Sequence, residues 1–89
     1  MKYNNSYVLK SLAGETILVF QSEEQVNFSK IITLNEIGKL IVEGLQNSLS
    51  KEEIVNKLLE EYEIDRATVE ADVEEFVNKL LELGVVSND

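Results

Sequence analysis

Cysteine, histidine, proline and tryptophan are all missing from this sequence, and methionine occurs once. Without cysteine there is no disulfide framework and no thiol nucleophile, and without cysteine and histidine most transition-metal sites drop out. The lack of histidine also removes the side chain best suited to general acid–base work near neutral pH. No apolar run approaches the ~18 residues that a membrane-spanning helix needs. The N-terminal Met-Lys-Tyr-Asn-Asn-Ser lacks the apolar core of a secretory signal. These absences together lead to the expectation of a soluble, cytoplasmic protein that acts without metal, cofactor or membrane.

The 89 residues form the expectation of one domain, 1–89. Hydrophobic residues make up 44% and charged residues 28%, enough apolar material for a core and too much for a disordered chain. The formal net charge is −9, and it is unevenly spread. Residues 1–50 carry five acidic and four basic side chains; residues 51–82 carry eleven and four. Nucleic-acid affinity rests on Lys and Arg displacing counterions, so an acidic helical half speaks against a nucleic-acid partner.

The hydrophobic pattern changes period once along the chain. Tyr3 to Leu12, Glu15 to Gln21 and Lys30 to Leu34 are rich in β-branched and aromatic residues and read as three strands. Ala13-Gly14 supplies the first turn, and the polar stretch Ser22 to Phe28 reads as a loop. Short connections predict an antiparallel meander whose third strand lies at an edge. Three helices follow. Asn35 is a natural N-cap ahead of Ile37, Leu40, Ile41 and Leu45, which recur at helical spacing. Ser50 and Glu53 make a capping box ahead of Ile54, Val55, Leu58, Leu59 and Tyr62. Asp65 caps a third helix with Val69, Val73, Phe76, Val77, Leu80 and Leu81 on one face, and Gly84 suits its C-terminal end. Of the two glycines inside the first helix, Gly38 reads as a close backbone approach and Gly44 as fraying near the end. Val85-Val86 is expected to pack back on the core. Strands followed by helices predict an α+β fold, a three-stranded antiparallel sheet with three helices, and the short joint Glu63-Ile64-Asp65 resembles a helix-turn-helix corner.

Enzymatic chemistry finds little support. The adjacent pairs Glu23-Glu24, Glu60-Glu61 and Glu74-Glu75 are not preformed acid–base pairs, since sequence neighbours on a helix do not face each other. No nucleophile elbow, zinc-protease signature or phosphate loop is present, and three Asp are too few for a calcium loop. Asn47-Ser48-Leu49 comes near a carrier-protein Asp-Ser-Leu, yet the Asp is missing and the preceding strands contradict an all-helical carrier; Ser48 reads as a loop or cap residue. Strands plus a helix-turn-helix are the ingredients of a winged-helix regulator. Its groove-reading third helix would carry Glu70, Asp72, Glu74, Glu75 and Glu82 against Arg66 and Lys79, the wrong sign for DNA. An exposed edge strand suits a different ligand, an extended peptide that adds itself as a further strand. On Lys30 to Leu34, alternation places Ile32 and Leu34 on one face and Ile31 and Thr33 on the other.

The ordered segments "KIITLNEIGKLIVEGL", "SKEEIVNKLLEEYEID" and "VEADVEEFVNKLLELGVV", with "YVLKSLAGETILVF" as a looser opening hairpin, resemble the PqqD-like family over about Tyr7 to Val86. The resemblance implies a winged helix-turn-helix-like fold that binds peptides. Such domains, RiPP recognition elements, dock the leader of a ribosomally made precursor along the third strand and third helix and present it to a modifying enzyme, often a radical SAM enzyme. Transferred by position, the peptide-binding residues are Lys30, Ile31, Ile32, Thr33 and Leu34 on the strand. On the helix they come from Asp72, Val73, Phe76, Val77 and Leu80, some of which serve the core. The role implied is a non-catalytic peptide chaperone without cofactor, its partners the leader peptide and the modifying enzyme; the unpaired edge strand, which can self-associate, leads to the expectation of a monomer or weak dimer. A winged-helix transcription regulator or other protein-interaction module is the alternative. One departure stands out: the family's Asp-Gly turn before the second helix is Gln46-Asn47 here, which sets the chain apart from the strict pyrroloquinoline quinone branch without touching the groove.

Overall fold

In the computed structural model, residues 1–21 and 26–88 are described, the side chains of residues 26–30 excepted. The elements run β1 (Lys2–Tyr3), β2 (Tyr7–Leu12), β3 (Glu15–Gln21), β4 (Val26–Leu34), α1 (Glu36–Gln46), α2 (Lys51–Glu61), α3 (Arg66–Leu83) and β5 (Val86–Ser87). This is a mixed α+β fold, with the antiparallel meander β2-β3-β4 as its main sheet. Two features differ from the sequence reading. Tyr3 and Tyr7 fall in separate strands, and β1 pairs with β5 to bring the two ends of the described chain together. β4 begins at Val26 rather than Lys30; of the loop expected over Ser22 to Phe28, residues 22–25 lie outside the described residues and the remainder is strand. A strand pairs through its backbone, so the polar Asn27 and Ser29 do not prevent it.

The β2–β3 hairpin turns on Ala13 (φ 53°) and Gly14 (φ 82°), the two left-handed residues of a tight turn whose twist matches the strands. Strand alternation then sorts the sheet into two faces. Tyr7, Leu9, Leu18, Phe20, Ile32 and Leu34 face the helices and join the core cluster. Tyr7 and Phe20 meet edge-on, 5.3 Å between ring centroids. Ile17 and Val19 are buried on the opposite face. The β3–β4 pairing shifts register between Leu18 and Phe20: β3 advances two residues while β4 advances five, from Asn27 to Ile32. Such an irregularity bends the strand and separates its last residues from its beginning.

Each helix begins at the residue that the sequence marks. Asn35 Oδ1 accepts the Gly38 N–H at 2.8 Å. Ser50 Oγ accepts the Glu53 N–H while Glu53 accepts the Ser50 N–H, completing the capping box and holding the Glu53 carboxyl below its ordinary range. Asp65 accepts from the Thr68 N–H and hydroxyl, which lowers its pKa too. At the far end of α3, Gly84 takes the left-handed conformation (φ 79°), and the N–H groups of Gly84 and Val85 reach the carbonyls of Leu81 and Leu80. That reversal returns Val85 and Val86 to the core, where both are buried.

The same reversal ends α1, built from a less suitable residue. The N–H groups of Ser48 and Leu49 reach Leu45 and Gly44, and Ser48 sits at φ 62°. A Cβ in that region costs about 1 kcal/mol that glycine does not incur. Ser48→Gly is therefore expected to raise stability by about 0.5–1 kcal/mol, read as a higher urea midpoint at unchanged slope. A lower midpoint would show that the Ser48 side chain contributes more than its backbone costs.

Val69, Val73, Val77 and Leu80 of α3 interlock with Ile54, Val55 and Leu58 of α2 and Ile41, Val42 and Leu45 of α1 in one cluster. Gly44 lets α1 and α2 approach: a Cβ there would lie 2.7 Å from Ile54 Cγ1. Gly38 has only ordinary contacts, 3.4 Å or more. The sequence reading had the two the wrong way round, because a close approach depends on the facing helix and not on position within α1. Tyr7 Oη donates to the Leu83 carbonyl at 3.2 Å, tying β2 to the end of α3. Among the described residues no helix is long and apolar enough to cross a membrane.

Candidate functional site

The order β2-β3-β4 leaves β4 at an edge, and no strand among the described residues pairs with its outer side. An edge strand presents a row of N–H and C=O groups in position for another strand. Asn35 matters here for a structural reason. It ends β4 and starts α1 in a single residue, so Leu34 at the end of the strand stands directly before the capped first turn of a helix.

A cleft of about 310 Å³ opens at that corner. Thr33, Leu34 and Asn35 form one wall, and Ile37, Gly38 and Ile41 of α1 contribute along the first helix. The opposite wall is one face of α3: Asp72, Glu75, Phe76 and Lys79. Their spacing of i, i+3, i+4 and i+7 places them in one row along the helix. Phe76 is half-buried and packs against the core cluster from the cleft side. The cleft thus combines apolar surface, a charged rim and an adjoining strand edge.

The residues singled out from the sequence divide three ways. Thr33, Leu34, Asp72 and Phe76 border the cleft. Val73, Val77 and Leu80 are buried to within 1% and belong to the core beneath it. Ile31 is 37% exposed on the outer sheet face and Ile32 is half-buried on the inner one, as alternation requires. Lys30 lies on the β4 backbone, and its side chain is outside those described. The sequence reading omitted Asn35, Ile37, Gly38, Ile41, Glu75 and Lys79, which also border the cleft. For Glu75 and Lys79 the signal was available. Around α3, Phe76 stands about 60° from Val73, and Asp72 and Lys79 lie further round on the same side. For Ile37, Gly38 and Ile41 it was not, because only tertiary packing sets α1 beside α3.

Asp72, Glu75 and Lys79 make no hydrogen bond or ion pair among the described residues. Elsewhere on the helices Lys51 meets Glu74 at 3.0 Å and Arg66 meets Glu70 at 3.6 Å. Tyr62 Oη donates to Glu36 at 3.3 Å.

Residues 7–86 match the family described as coenzyme PQQ synthesis protein D. No curated protein matches the chain. Among solved structures, one of TbiB1 in complex with the TbiA(beta) leader peptide aligns with a TM-score of 0.78 and 26% identity, covering 100% of this chain and 98% of that one.

Proposed function

The chain belongs to the PqqD family, and from that premise we propose that it recognises the leader segment of a ribosomally made precursor peptide and hands the precursor to a modifying enzyme. One observation carries this reading: the open edge of β4 runs directly into the cleft between α1 and α3. A leader in extended form adds to β4 between Lys30 and Leu34. Its backbone exchanges hydrogen bonds with the strand, which gives affinity with little regard to sequence. Every second side chain then turns inward, toward Phe76 and the α3 row, which supplies selectivity. Val73, Val77 and Leu80 act from behind, by keeping α3 at its distance from the sheet. The chain itself performs no chemistry in this reading; the modifying enzyme, of the radical SAM class or a comparable one, does. The structural similarity to TbiB1, solved with a leader peptide, supports the same reading.

The charge distribution favours a peptide over a duplex. The exposed part of α3 carries Glu70, Asp72, Glu74, Glu75 and Glu82 against Arg66 and Lys79, and a groove-reading helix with that balance would be repelled by phosphates.

The test is an NMR titration of isotope-labelled protein with leader peptides of precursors encoded beside its gene. Amide shifts are expected to concentrate on residues 31–34 and on the 72–79 stretch of α3. Binding that leaves both stretches unmoved would place the site elsewhere.

A further inference from the structure

Resting on the peptide-binding reading above, we infer that the cleft selects leaders with a charge pattern: a basic, an apolar and an acidic side chain at alternate positions, the basic one facing Asp72 and Glu75 and the acidic one facing Lys79.

Three charged side chains of the α3 wall, Asp72, Glu75 and Lys79, are unpaired among the described residues. Glu75 and Lys79 stand at i and i+4 with Glu N-terminal, the better orientation for a helical ion pair. They nevertheless form none, while Arg66–Glu70 on the same helix does at the same spacing. Asp72 is likewise without a partner among the described residues, and all three border the cleft. Charges turned toward a ligand groove and left without internal partners are complementary to opposite charges on whatever occupies it.

Their spacing sets the pattern. Along the axis of α3, Glu75, Phe76 and Lys79 lie about 4.5, 6 and 10.5 Å beyond Asp72. When a leader added to β4 lies along α3, its alternate side chains turn toward that helix about 6.8 Å apart. A basic side chain level with Asp72, with Glu75 in reach, therefore sets the next inward residue beside Phe76, where an apolar group meets the half-buried ring. The inward residue after that lies within reach of the long, flexible Lys79 side chain. Two carboxylates against one ammonium make the basic position the stronger requirement. The two ends of the cleft have opposite sign, so the same pattern also fixes which way along α3 the leader lies.

The experiment is selection of a displayed random-peptide library on the whole chain, followed by affinity measurements on synthetic peptides. Peptides enriched by the wild-type chain are expected to carry the basic-x-apolar-x-acidic spacing in one chain direction. Exchanging the two charges in such a peptide is expected to weaken binding by about fivefold per reversed charge, and less at high salt. The variant combining Asp72→Lys, Glu75→Lys and Lys79→Glu changes only exposed side chains, and it is expected to prefer the exchanged peptide. Enriched peptides that shift residues 31–34 yet show no charge bias would overturn the charge inference and leave the peptide-binding reading standing. Failure to enrich any peptide would overturn that reading itself, and the inference with it.

Discussion

Gly44→Val is expected to lower stability by about 3 kcal/mol, while Gly38→Ala, six residues earlier in the same helix, is expected to cost nothing or to stabilise by up to about 1 kcal/mol. The contrast comes from what each new side chain meets. At Gly44 a Cβ would stand 2.7 Å from Ile54 Cγ1 and 3.1 Å from its Cδ1. Ile54 is 2% exposed and hemmed in by the core, so it has no free space into which to retreat. Valine adds two further methyl groups to that contact. The small gain in helix propensity over glycine, about 0.5 kcal/mol, does not offset the overlap. At Gly38 the nearest atoms are Asn35 Oδ1 and Leu34 Cδ2, both at 3.4 Å, which is ordinary contact. A domain of this size has roughly 5–13 kcal/mol of stability in all, so a loss of about 3 lowers the melting temperature by more than 10 °C. Thermal and urea unfolding of the two variants measure the difference. Equal losses at both positions would mean that helix packing between α1 and α2 is not what Gly44 serves.

Phe76→Asp is expected to weaken leader binding by about a hundredfold, near 3 kcal/mol. The ring supplies the apolar part of the α3 wall, and an aspartate would put a third carboxylate beside Asp72 and Glu75. Phe76 also packs on the core cluster, so about 2 kcal/mol of stability is lost with it. The two effects separate when affinity is measured by calorimetry at a temperature where the variant's amide spectrum is still that of the folded protein. Phe76→Leu, which keeps an apolar group of similar reach, is expected to retain most of the binding. Undiminished affinity in folded Phe76→Asp would remove the cleft as the peptide site.

Much of the local structure was legible because its determinants are local. Asn35, Ser50 with Glu53, and Asp65 accept first-turn N–H groups whatever surrounds them, and Gly84 can reverse the chain where other residues strain. The helical stripes and the Ala13-Gly14 turn follow from periodicity and left-handed preference in the same way. Strand limits were less legible. Asn27 and Ser29 look like loop residues, but β3 supplies a template that recruits them into β4. The β1–β5 pair joins residues at opposite ends of the described chain, and its short strands carry no periodic signal.

The candidate site lies across that same division. Its β4 edge and the Asp72–Glu75–Phe76–Lys79 row are readable from alternation and helical spacing. That the row faces Ile37, Gly38 and Ile41 across a cleft is not, since no residue encodes alone which helix will stand opposite it. The sequence by itself determined where each helix starts, which face of each is apolar, and the strand-to-helix corner at Asn35. Only the tertiary structure decided that Gly44 and not Gly38 is the close contact, that Val73, Val77 and Leu80 belong to the core, and that Phe76 borders the cleft. The physical reason is range: caps and turns depend on neighbours within one turn of chain, whereas burial and grooves depend on the packing partner that long-range folding brings.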